Sequence, residues 1–194
     1  MEPTADFIHT KIVLDKTFCN DIIDWYESMP HNKELQEGKR DDENINNCTK
    51  HEYFLDNFYS KIQKQLKQFS AEYHQMYLED INLGHNINIV GWKMQKSSPE
   101  HIGFTQWHCE RWPDSECDKE DNNDTSSQTN RRHAVWMIYL NDVEGGCTDF
   151  KYQNISMQPE AGKLVIWPAY YTHVHRANPD IRSDKYILTG WIRS

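Results

Sequence analysis

The sequence has no apolar run approaching 18 residues, so a membrane-spanning helix is excluded. Its start, MEPTADFIHTKIV, shows no basic region followed by an apolar stretch, and a secretory signal is not expected. The five cysteines, at 19, 48, 109, 117 and 147, include no C-x-x-C pair and form no regular framework. An odd count in that pattern reads as reduced thiols, so disulfide scaffolds and structural zinc sites are set aside and a cytoplasmic location is expected. Basic residues are outnumbered: 21 Lys and Arg stand against 30 Asp and Glu, for a net charge of −9. That balance argues against a nucleic-acid backbone as the main partner, since proteins that bind one usually carry a basic face, and the overall field favours a basic or neutral partner. No internal repeat is evident.

The 194 residues suit one domain, and 7 Trp, 10 Tyr and 7 Phe are too many for a disordered protein. Ten His is a high number for this length. Residues 1–80 read as mainly helical. Asp15 or Thr17 can cap a helix carrying Phe18, Ile22, Ile23 and Trp25-Tyr26, and Met29-Pro30 ends it. From Glu52 to Tyr77, apolar residues recur every three or four positions, which predicts one long amphipathic helix. Between them, residues 31–50 are nearly free of apolar side chains and read as an exposed loop. Residues 84–194 read as strands: INIVGWKM, AVWMIYLND, KLVIWPA and KYILTGWI are β-branched and aromatic runs bounded by turn residues. Residues 113–130 carry no apolar residue except Cys117 and read as a mobile loop between two strands. The pattern is that of an α+β chain in which helices back a β-sandwich or jelly-roll barrel.

Three clusters carry chemistry. In Trp107-His108-Cys109-Glu110, an extended backbone would aim His108 and Glu110 to one side, two thirds of the facial triad that holds non-heme Fe(II). In Trp167-Pro168-Ala169-Tyr170-Tyr171-Thr172-His173-Val174-His175-Arg176, two more imidazoles stand two apart, and spacing alone does not choose between them. In Lys185-Tyr186-Ile187-Leu188-Thr189-Gly190-Trp191, Lys185 shares a face with Ile187 and Thr189. A lysine there either reaches water at the strand end or meets a ligand carboxylate.

The order of these clusters resembles the Fe(II)- and 2-oxoglutarate-dependent dioxygenases, in particular their prolyl-4-hydroxylase-like branch, from about Asn88 to Ile192. The resemblance implies a double-stranded β-helix, a jelly-roll or cupin-like barrel over 84–194 with helical support from 1–80, in a single domain spanning 1–194. It implies that His108 and Glu110 are the metal dyad. The metal His usually stands five residues after the Pro, which selects His173. Tyr139, in a strand ending Tyr-Leu-Asn, and Lys185 would bind the far carboxylate of 2-oxoglutarate; Thr189 would add a hydrogen bond and Trp191 would pack beside it. Gly145-Gly146-Cys147-Thr148-Asp149-Phe150 resembles the family's glycine turn entering a strand. His175, Arg176 and Arg131 would line the substrate entrance, and residues 113–130 would lie where a lid could close on a peptide.

Two features depart from the pattern. Lys185 lies twelve residues after His173, where the family has nine or ten, and Arg182 sits at plus nine. The register of Tyr186, Thr189 and Trp191 favours Lys185. Phe104 and Thr105 stand where the family often has a Tyr. The implied cofactors are Fe(II), 2-oxoglutarate as co-substrate and O2, with ascorbate as a reductant. The implied reaction hydroxylates an unactivated C–H, on a peptidyl, prolyl-type side chain, with succinate and CO2 as co-products. A free amino acid or small metabolite is the alternative substrate. A cupin-type metalloenzyme without 2-oxoglutarate and an inactive jelly-roll binding module are the rival readings. Neither nucleic acid nor membrane is an expected partner.

Overall fold

The computed structural model describes residues 4–29, 45–46, 48, 51–79, 88–111 and 132–193. The loop at 113–130 and Arg131 lie outside them. Helix α1 (Lys16–Ser28) starts as its sequence dictates: the Asp15 carboxylate accepts from Phe18 N at 2.8 Å. It stops at Met29, whose extended backbone is the conformation a following proline imposes. The expected single helix over 52–77 is instead a short α2 (Glu52–Phe54), a π-helical turn (Leu55–Tyr59) and α3 (Ser60–Tyr77). The reason lies in the spacing. Phe54, Phe58, Ile62 and Leu66 follow one another at four-residue steps, longer than the 3.6-residue α period. The widened turn keeps Phe54 and Phe58 on the buried stripe continued by Ile62 and Leu66, where all four are at most 4% exposed.

Strands β1 (His9–Ile12), β2 (Ile45–Asn46), β3 (Asn88–Ser97), β4 (Arg132–Tyr139), β7 (Lys163–Pro168) and β9 (Lys185–Arg193) form an antiparallel sheet in the order β1-β7-β4-β9-β3-β2. A second sheet, β6-β5-β8, joins β5 (Thr148–Phe150), β6 (Ile155–Met157) and β8 (His175–Ala177). The central strands are buried on both faces. On one face, Trp136, Ile138, Leu164, Ile166 and Leu188 pack with side chains of α1 and α3. On the other, Val135, Tyr139, Val165, Trp167, Ile187 and Trp191 pack against Phe150 of the smaller sheet. The period-two alternation of strands thus sorts one sequence run into two cores. On β9 it sends Lys185, Ile187, Thr189 and Trp191 to the inner face, where the site lies. Among the described residues no helix is long and apolar enough to cross a membrane.

Candidate active site

A cavity opens on the inner face of the larger sheet and reaches the smaller one. His108, Glu110, His175 and Lys185 all line it. One ligand atom from each of His108, Glu110 and His175 lies within 4.8 Å of the others. The segment from Trp107 to Glu110 is not a continuous strand. His108 forms an isolated antiparallel bridge with His175, each N–H donating to the other's carbonyl at 3.0 and 2.9 Å. That bridge fixes the first residue of the dyad against β8.

The imidazoles are oriented by their own backbone. His108 Nδ1–H donates to the Gln106 carbonyl and His175 Nδ1–H to the His173 carbonyl, both at 2.9 Å. A carbonyl can only accept, so each ring carries its proton on Nδ1 and leaves Nε2 for a ligand. His108 Nε2 lies 3.5 Å from Glu110 Oε1. The other carboxylate oxygen, Oε2, accepts from Arg132 Nη1 at 3.1 Å and from Trp191 Nε1 at 3.0 Å. The Arg132 guanidinium lies over Trp191, its carbon 3.5 Å from the ring centroid. Gly91 also approaches the indole closely: a Cβ there would stand 2.2 Å from Trp191 Cε3. Glycine and arginine thus seat the indole, and the indole helps seat the carboxylate.

Electrostatics match this geometry. Burial pushes the Glu110 carboxyl up, but in acid the protonated ring of His108, through a hydrogen bond and its charge, prevails together with the charges of His175 and Arg132 and holds it at about 2. Burial, reinforced by the charge of His108, pushes His175 down to about 4, so its imidazole is neutral near pH 7. Two imidazoles with Nε2 turned away from their backbone partners and one carboxylate are a donor set for a divalent first-row metal, and the side chains present fit such an ion.

The expectation that His173 completes this cluster is corrected: His175 stands there instead. His173 ends a 3-10 turn (Tyr171–His173), so the extended i, i+2 relation between the two histidines does not exist. Its Nε2–H donates to the Asp6 carbonyl at 2.7 Å and its Nδ1 accepts from the Thr172 hydroxyl at 2.9 Å. Both nitrogens are committed. The turn also moves the third imidazole to seven residues after Pro168 and restores a spacing of ten between His175 and Lys185.

Lys185 is 4% exposed, lines the cavity and donates to the Gly146 carbonyl at 2.6 Å. Burial pushes its ammonium down to about 8. The carbonyl is presented by the Gly145-Gly146 turn; at Gly145, with φ +74°, a Cβ would fall 1.9 Å from the Asp180 carbonyl oxygen. Arg182 points elsewhere, pairing with Asp180 at 2.9 Å on the exposed surface. Tyr139 is fully buried, and its hydroxyl meets Thr148 Oγ1 at 2.6 Å. Thr148 lines the cavity, and Tyr139 stands behind it. Thr189 also lines the cavity, but its hydroxyl proton goes to the Trp136 carbonyl at 2.8 Å. Phe104 borders the cavity with its ring 4.4 Å from that of His108.

Sequence reasoning missed Arg132, Thr148 and Gly91 as parts of the site. Thr148 sat inside the Gly-Gly-x-Thr-x-Phe motif and could have been read from it. Nothing local in the sequence marks Arg132, at the start of a strand, as a partner of Glu110.

Comparison with known proteins bears on the family. No curated protein sequence matches the chain. Among solved structures, the viral collagen prolyl hydroxylase of Paramecium Bursaria Chlorella virus-1, in its 2OG complex, aligns over 98% of this chain and 97% of its own. Its TM-score is 0.64 and its identity 19%. A prolyl-4-hydroxylase of Pseudomonas putida aligns over 97% and 86%, with TM-score 0.55 and 16% identity. At those identities the likeness is one of fold. The sequence model of the 2OG-Fe(II) oxygenase superfamily matches residues 97–193, half of the chain and the half that holds every site residue just described except Gly91. The chain therefore belongs to the 2OG-Fe(II) oxygenase superfamily, enzymes of the dioxygenase class.

Proposed function

We propose that the protein hydroxylates an unactivated C–H of a peptidyl, prolyl-type residue, as one catalytic domain formed by residues 1–194. His108, Glu110 and His175 would hold the iron. The observation that carries this reading is the meeting of that donor set with a buried ammonium, Lys185, in one cavity. When bound, Fe(II) and 2-oxoglutarate supply the oxidising power drawn from O2, with succinate and CO2 as co-products.

The chain's own residues hold and shield. Arg132 and Trp191 bind Glu110 Oε2, which leaves Oε1 for the metal. Lys185 binds the far carboxylate of the co-substrate by a charge-assisted hydrogen bond, and Thr148, backed by Tyr139, stands beside that position as a neutral partner. Val135, Trp167, Ile187 and Trp191 wall the cavity and keep water from the reacting carbon. A peptidyl substrate is supported by the fold shared, over nearly the whole chain, with solved proteins described as prolyl hydroxylases.

The test has two stages. Fe(II)-loaded protein is titrated with 2-oxoglutarate without oxygen, and a saturable visible charge-transfer band is expected. Proline-containing peptides are then offered with oxygen, and mass spectrometry is expected to show one added oxygen. Iron binding without the band would move the assignment to a cupin-type metalloenzyme. Absence of iron binding would leave an inactive barrel.

A further inference from the structure

The mouth of the cavity has the opposite charge to the chain as a whole. Arg176 lines the cavity next to His175, and its guanidinium carbon lies 4.4 Å from the centroid of Trp107. Lys151 Nζ stands 5.8 Å from the same ring and 5.7 Å from that of Tyr152. Trp107 is 39% exposed and Tyr152 65%. Two cations therefore share one indole at a wet surface beside the reactive centre.

Their placement is built by the smaller sheet. Arg176 and Asp149 are paired across β5 and β8, and Lys151 follows the end of β5, with its N–H held by the Val174 carbonyl at 2.9 Å. Asp149 is buried, and its carboxylate is already divided. It accepts from Arg176 Nε at 3.3 Å, from Asn178 Nδ2 at 3.0 and 3.2 Å, and from the Ser156 hydroxyl at 2.8 Å. It buttresses the guanidinium through Nε. Among the described residues the two Nη groups of Arg176 have no acceptor, and Lys151 has no acidic partner. Like charges gathered on one ring repel, and an anion seated between them reverses the sign of that energy. A planar guanidinium held over an indole, with its Nη groups open, suits a carboxylate.

We propose that Trp107, Lys151 and Arg176 form a carboxylate-recognition patch, and that the substrate is an acidic peptide. An Asp or Glu side chain near the hydroxylated residue seats on this patch while that residue enters the cavity. The proposal rests on the peptidyl oxygenase reading. It reverses what the net charge of −9 suggests, because the field at the mouth, not the sum over the chain, acts on a docking side chain.

The test uses the full chain loaded with Mn(II) and 2-oxoglutarate. Fluorescein-labelled peptides with a central Pro flanked by Glu, Gln or Lys are titrated by anisotropy at low and high salt. The Glu peptides are expected to bind about tenfold more tightly than the Gln peptides at low salt, an advantage that salt erodes. Arg176→Gln removes the advantage, and Lys151→Gln, at the surface and away from the metal, weakens it. Arg176→Glu shifts the preference toward the Lys peptides. Equal binding of Glu and Gln peptides overturns the proposal, as does a preference that survives both Gln variants. Discrimination confined to free glutamate, with no peptide bound, also overturns it. A missing charge-transfer response to 2-oxoglutarate in the Fe(II)-loaded protein would instead remove the oxygenase reading, and an acidic-peptide preference found without it would leave the patch standing.

Discussion

Replacing Lys185 with Met removes a charge that the fold holds almost out of water. In the unfolded chain the ammonium has its ordinary value of 10.5; burial brings it to about 8 in the folded protein. At about 1.36 kcal/mol per pH unit, that gap costs the ligand-free fold about 3 kcal/mol near pH 7. The side chain returns about 1 kcal/mol through its hydrogen bond to the Gly146 carbonyl. Lys185→Met is therefore expected to stabilise the ligand-free protein by about 2 kcal/mol, raising Tm by about 4–8 °C for a chain of this size. The folded value lies below the unfolded one, so the penalty is full below pH 8, where both states are protonated. It fades between pH 8 and 10.5, where the folded state has released its proton and the unfolded state has not. The advantage of the variant should fade across the same window. Binding should move the other way. Loss of the buried partner of a carboxylate costs about 3 kcal/mol or more, so 2-oxoglutarate affinity falls at least about 100-fold while Mn(II) still binds. Thermal scans of both proteins across pH, with and without 2-oxoglutarate, measure all of this. A lower Tm for Lys185→Met, or an unchanged 2-oxoglutarate affinity, would refute the reasoning.

Other substitutions test the metal side. His175→Ala should abolish Mn(II) binding measured by calorimetry, whereas His173→Ala, whose ring holds Asp6 instead, should keep it. Trp191→Phe and Arg132→Gln each remove one donor to Glu110 Oε2 and should weaken Mn(II) binding about 10-fold or more, with little change in circular dichroism. Gly91→Ala should lower Tm by several degrees and weaken metal binding together, because the new methyl group occupies the place of the Trp191 ring at a φ of +72°.

The readable parts of the fold were those whose physics is local. The strands of AVWMIYLND, KLVIWPA and KYILTGWI needed only a run of β-branched and aromatic residues between turn formers, and they lie at 132–139, 163–168 and 185–193. Helix α1 needed only Asp15 before it and Met29-Pro30 after it. The short strands β1, β5, β6 and β8 have too few residues for a period to show, and they exist because a neighbour pairs with them. The spacing of the two late histidines left the choice between them open, and the resemblance pointed to His173 by its distance from Pro168. A 3-10 turn of three residues at Tyr171–His173 leaves no signature in composition, so the sequence could not show that His175 is the one turned toward His108 and Glu110.

The sequence by itself determined the chemistry on offer: a His-x-Glu, a pair of later imidazoles, and an inward lysine on an apolar strand. Residue type and strand periodicity suffice for that, since they are properties of neighbours along the chain. Only the tertiary structure decided which imidazole joins His108 and Glu110, because Nε2 is free on His175 and committed on His173. It alone brought Arg132 and Trp191 from different strands onto one carboxylate oxygen and set Gly91 against the indole. It alone placed a cationic mouth on an acidic chain. Coordination, hydrogen bonding and local fields depend on distances of a few ångströms, and those distances are set when remote strands meet.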